Sequence, residues 1–186
     1  MGLEDNNLKL VKENFIKEFS NYINMEKRKN SYLEIVFLCI GTDRLIGDSF
    51  GPLVGSKLEN LLKNYNIFNI NIYGTLKQNI CYSNILEFIE NIKIKHPKAC
   101  IVVIDAALSK EENIGKVYVE NKETVLAKGL YKKKIEVGDI SIKAVVGKNY
   151  KLSKYNFITL QNISLSKIIS LSETVAEGIY EVIKYA

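Results

Sequence analysis

The stretch Glu34-Ile35-Val36-Phe37-Leu38-Cys39-Ile40-Gly41-Thr42-Asp43-Arg44-Leu45-Ile46-Gly47-Asp48-Ser49-Phe50-Gly51-Pro52 decides the fold. Its first seven residues form a nearly continuous apolar run, the pattern of a strand buried on both faces, as in parallel sheets. Gly41 permits a sharp exit from that strand. Pro52 fits the first position of a helix, where its missing N–H costs nothing. Leu53, Val54, Leu58, Leu61 and Leu62 then give the helix, about residues 52–64, its inner side. Strand, glycine-rich turn and helix in this order are one half of a βαβ unit.

The pattern repeats outward. Residues 68–73 read as a second strand stopped by Gly74, and Ile85, Phe88, Ile89 and Ile92 mark another helix. His96-Pro97 make a turn before a second fully apolar strand, Cys100-Ile101-Val102-Val103-Ile104, which ends on Asp105. Residues 117–120 and 140–146 read as further strands, with a lysine-rich loop from Ala127 to Gly138 between them. A long helix closes the chain, with Leu165, Ile168, Ile169, Val175, Ala176, Ile179, Val182 and Ile183 on one stripe. Upstream, Leu8, Val11, Phe15, Phe19 and Tyr22 recur at steps of three and four, so residues 4–24 read as an amphipathic helix. Glu26 to Ser31 reads as a charged linker. The expected organisation is an N-terminal helix and linker over 1–30, then one α/β domain over 31–186. Its architecture is three-layer α/β/α around a twisted, largely parallel central sheet.

Composition narrows the chemistry. A chain of 186 residues with 47% hydrophobic and 25% charged residues is an ordinary globular domain, long enough to bury a core without disulfides or metals. Its longest apolar run is far short of the ~20 residues that span a bilayer. Early acids and no apolar segment at the N-terminus argue against a secretory signal. Three cysteines without a CxxC spacing read as reduced thiols in a cytosolic protein. The single histidine excludes zinc sites built on two or three histidines and leaves a Ser-His or Cys-His site only His96. The net charge of +5 is scattered, and its one cluster, Lys132-Lys133-Lys134, reads as a solvated loop. No nucleic-acid partner is expected. The glycines fit neither GxGxxG nor GxxxxGK[ST], and no GxSxG elbow is present.

Aspartates remain. In open α/β sheets, ligands bind beyond the carboxyl ends of the strands. Asp105 follows strand 100–104, and Asp43 and Asp48 lie in the loop after strand 34–40. A carboxyl at the end of a buried strand is half out of water and easily shifted in pKa, whereas one near a helix N-terminus is held ionised. Two such acids can divide general-base and general-acid work. Structural roles compete: Asp48 as a helix cap, Asp105 as an acceptor for turn amides, Asp43 and Asp139 as turn residues.

The residues also carry a resemblance. Gly41-Thr42-Asp43-Arg44, Gly47-Asp48-Ser49-Phe50-Gly51-Pro52-Leu53-Val54-Gly55, Tyr73-Gly74-Thr75-Leu76, Ile104-Asp105-Ala106, Val137-Gly138-Asp139-Ile140 and Leu160-Gln161-Asn162 resemble the sporulation protein YyaC family, over roughly residues 33–185. That family resembles the germination protease of spore-forming bacteria and, more distantly, the hydrogenase maturation proteases. The resemblance implies an aspartic peptidase whose two acids match Asp48 and Asp105. In the maturation proteases the same positions hold nickel, but the nickel-binding histidine has no counterpart here, so no metal or cofactor is expected. Asp43 and Asp139 are supporting candidates. The implied substrate is a protein or peptide, such as a small spore protein, in the cytoplasm of the sporulating cell or forespore. A non-catalytic sporulation factor binding a peptide or protein in the same crevice is the alternative.

Overall fold

A computed structural model describes residues 3–30, 32, 34–63, 69–126 and 135–184. Helix α1 (Leu3–Lys29) leads into strand β1 (Glu34–Cys39), a short 3-10 turn (Gly47–Ser49) and helix α2 (Phe50–Leu62). Strand β2 (Ile70–Tyr73), helix α3 (Ile85–Lys95) and strand β3 (Ala99–Ser109) follow. Next come β4 (Val117–Glu120), β5 (Thr124–Leu126), β6 (Ile135–Val137), β7 (Ile140–Lys148), α4 (Ser153–Gln161) and α5 (Leu165–Ile183).

The main sheet has the order β2-β1-β3-β7-β4. β1, β2, β3 and β7 run parallel, and β4 joins the edge antiparallel to β7. Alternation along the strands splits the core into two layers. Phe37, Cys39, Val102, Ile104, Ile142 and Ala144 face α1, α2 and α5. Val36, Leu38, Ile40 and Val103 face α3, which contributes Ile85, Ile89 and Ile92. The three-layer α/β/α fold is thus present, with the largely parallel sheet in its middle.

The apolar stripe of α1 packs on the sheet: Phe15, Phe19 and Ile23 are buried in the same core as the strands. Three local expectations change. The stretch read as a linker is mostly the last turns of α1, because Glu26 is buried and accepts hydrogen bonds from Lys29 and Asn30. α2 begins at Phe50, two residues before Pro52, which still falls in the first turn where helical N–H groups are unbonded anyway. Of the expected loop from Ala127 to Gly138, residues 127–134, including the lysine cluster, lie outside the described residues. Residues 135–137 pair antiparallel with β5 as a two-stranded ribbon.

Two glycines fix how β1 hands over to α2. Gly41 has φ +143, and a Cβ there would lie 2.0 Å from the Asp48 carbonyl oxygen. At Gly51 a Cβ would lie 2.2 Å from the Ile40 carbonyl oxygen. Helix α2 therefore starts pressed against the end of β1, and the loop between them is folded tightly over the strand's carboxyl end.

Candidate functional site

The strand order makes a switch point. From β1 the chain crosses to β2 on one side, and β3 lies on the other. The crevice between β1 and β3, beyond the end of β1, is where open α/β sheets bind ligands. Asp48 sits in the 3-10 turn after β1, and Asp105 sits on β3 one residue past Ile104, which pairs with the last residue of β1. Asp105 is therefore inside its strand instead of after it: β3 runs on to Ser109 beside β7 alone.

Asp105 senses the charge of Asp48. The Asp105 carboxyl is pushed up to about 7, first by burial and then by the charge of Asp48. The Ala106 N–H and the Lys143 ammonium pull the other way. Asp48 is also raised, by burial, with the Thr42 N–H opposing. Burial, and not the helix N-terminus, sets the direction of the Asp48 shift. Desolvation is the larger effect here, and the helix dipole acts only within the first turn. Nor does Asp48 cap α2, since the cap position is Ser49 and carries no side-chain capping bond.

A carboxyl raised to about 7 can still carry and donate a proton near neutral pH, and a second carboxyl whose charge it feels can accept one. Among the described residues no group of three His, Cys, Asp or Glu side chains is placed to hold a metal ion.

The other candidates lie apart. Asp43 is exposed at the same end of the sheet, but its carboxylate accepts a hydrogen bond from Asn79 Nδ2 at 2.7 Å. Asp139 is not brought to the pair. It accepts from the Ile101 N–H at 2.8 Å and the Tyr32 hydroxyl at 3.0 Å, which ties the start of β3 to the start of β7. Asp105 pairs with Lys143, four residues further along β7, so Asp139 lies about 13 Å away at the strand rise of ~3.3 Å per residue. His96 is also elsewhere, held by Glu34 at 2.7 Å and by the Tyr73 hydroxyl at 2.8 Å. Lys143 is the neighbour that sequence reasoning passed over. It is the only charged residue in Ile140–Val146, and a lysine inside an apolar strand was the available signal. Lys143 also lies 3.7 Å from Glu120.

Comparison with known proteins agrees with the fold. The family described as "Protein of unknown function (DUF1256)" matches residues 7–178. The "Uncharacterized protein YyaC" of Bacillus subtilis (strain 168) is 30% identical over 163 residues, covering 88% of this chain and 76% of that protein. Among solved structures, the [NiFe] hydrogenase maturation protease HycI from Thermococcus kodakarensis KOD1 superposes with a TM-score of 0.53 at 19% identity, covering 81% of this chain and 92% of HycI. At that identity the likeness is one of fold: this chain has the fold of a hydrogenase maturation protease.

Proposed function

We propose that this chain, which belongs to the DUF1256 family, is a peptidase that uses Asp48 and Asp105 as an aspartate pair. The observation that carries the reading is the Asp105 carboxyl, held near 7 by burial and by Asp48 in the switch-point crevice. Support also comes from the protease-like fold.

Asp105 is the proton holder and Asp48 the base. Asp48 takes a proton from water as the water oxygen adds to the peptide carbonyl carbon, and Asp105 gives its proton to the carbonyl oxygen. When the tetrahedral carbon collapses, the C–N bond breaks. The proton on Asp48 goes to the leaving nitrogen, and Asp105 recovers its own from the hydroxyl. Water is divided between the new acid and the new amine, and the pair ends with the one proton it started with. Lys143, beside Asp105, keeps the pKa of that acid from rising further. The substrate class is a protein segment, with small spore proteins in the cytoplasm as the first to try.

Cleavage of such proteins by the wild-type chain and by Asp48→Asn and Asp105→Asn variants tests this. Each substitution is expected to lower kcat by at least a hundredfold, the low end for a general acid or base, with far-UV circular dichroism unchanged. Folded variants that cleave like the wild type would refute the pair.

A further inference from the structure

β3 outruns its neighbour. β1 ends with Cys39 opposite Ile104, and the Ile40 N–H closes that ladder by donating to the Ile104 carbonyl at 2.8 Å. After that β1 leans away: Ile40 bridges to Ile80, and the Gly41 N–H donates to the Ile80 carbonyl at 2.8 Å. β3 continues to Ser109 with β7 on its other flank.

Strand alternation says where the exposed main-chain groups point. The carbonyls of Ile101 and Ser109 accept from Asp139 and Asn149, so odd-numbered residues of β3 face β7. Ile104 faces β1, and with it Ala106 and Leu108. The Ala106 N–H lies at the Asp105 carboxyl. Among the described residues no turn or loop hydrogen bond reaches the Ala106 carbonyl or the Leu108 N–H and carbonyl. Unpaired strand groups require a partner, from water or from another chain. Burial falls in step: β3 is no longer fully buried from Asp105 onward.

We propose that this open edge of β3, from Ala106 to Leu108, binds an extended, unfolded polypeptide segment by strand addition in the row that β1 vacates, laying its backbone across Asp105 and Asp48. The occupant must be extended, because a helical segment has already spent its N–H and C=O groups on itself. A strand here would lie about 5 Å from β3. Its side chains would alternate between the face of Ala107, where a small neighbour leaves room, and the face of Leu108, whose side chain packs near Gly147. The inference deepens the peptidase reading and rests on it only for which bond is cut. Binding is measured apart from cleavage.

The test uses the full chain carrying Asp105→Asn, so that a bound peptide is not consumed, and a random octapeptide library as probe. The tightest octapeptide is resynthesised in versions N-methylated at one position each. Strand addition predicts an alternating pattern over the paired stretch: at least a tenfold loss of affinity at every second position and under twofold at those between. Amide exchange at Leu108 should slow at least tenfold with peptide, a measurement that can be repeated on the wild-type chain. Affinity loss without alternation, no change at Leu108, or no octapeptide binding would overturn the slot. Alternating binding of a peptide that the wild-type chain leaves intact would uphold the slot and remove the peptidase.

Discussion

Replacing Asp105 by Asn should make the protein more stable, and increasingly so as pH rises. The carboxyl moves from 3.8 in the unfolded chain to about 7 in the fold. Between those values the native state binds more protons than the unfolded state, so stability falls as pH increases through the window. Below 3.8 both states are protonated and the effect vanishes; above about 7 the penalty is complete. Each pH unit inside the window costs about 1.4 kcal/mol, so two units from pH 5 to pH 7 amount to roughly 3 kcal/mol. Asparagine never ionises and can still accept the Ala106 N–H, so the variant escapes this cost. The difference between variant and wild type is expected to grow by roughly 3 kcal/mol from pH 5 to pH 8. At ~2–4 °C per kcal/mol for a chain of this size, that is a gain in Tm of roughly 6–12 °C. Urea unfolding at both pH values, with m unchanged, is the direct measurement. A variant destabilised equally at pH 5 and pH 8 would refute the reasoning, since a purely structural aspartate has no reason to be costly when charged. The expected outcome is that of a site whose chemistry is maintained against the stability of the fold.

Two further outcomes follow from neighbouring contacts. Lys143→Met removes the ammonium that favours ionised Asp105, so the carboxyl should titrate higher than in the wild type; carbon-detected NMR of the Asp105 carboxyl reads this directly, and a shift downward would contradict the placement of Lys143. Phe15→Ala deletes a fully buried ring of α1 and should cost about 3–5 kcal/mol, as core Phe→Ala changes do. A cost under 1 kcal/mol in chemical denaturation would refute the place of α1 in the core.

The sheet was legible because its central strands are buried on both faces, which leaves runs such as Val36–Ile40 and Val102–Ile104 without polar interruption. The helices were legible from their stripes, and α1 announced through Phe15 and Phe19 that it packs on something, though periodicity cannot say on what. Ends were harder. Residues 26–29 looked like a linker because they are charged, and only the fold shows that Glu26 turns inward to bond Lys29 and Asn30. Asp105 looked like the end of its strand for a similar reason: a carboxyl among apolar residues reads as an exit. β3 in fact continues through it, because β7 still supplies a ladder after β1 has stopped. That single difference changes what the site can be. An acid on a loop could move away from its partner, whereas one inside a ladder is fixed beside Lys143, within the field of Asp48 and next to main-chain groups left facing the crevice. The sequence pattern could nominate Asp48 and Asp105, but their coupling depends on a strand order that brings the ends of β1 and β3 together. Asp139 shows the reverse case: it stands next to a strand in sequence like the other acids, yet it lies at the amino end of the sheet. Direction along a strand, which local composition does not encode, separates an acid that stitches two strands together from one that can meet a substrate.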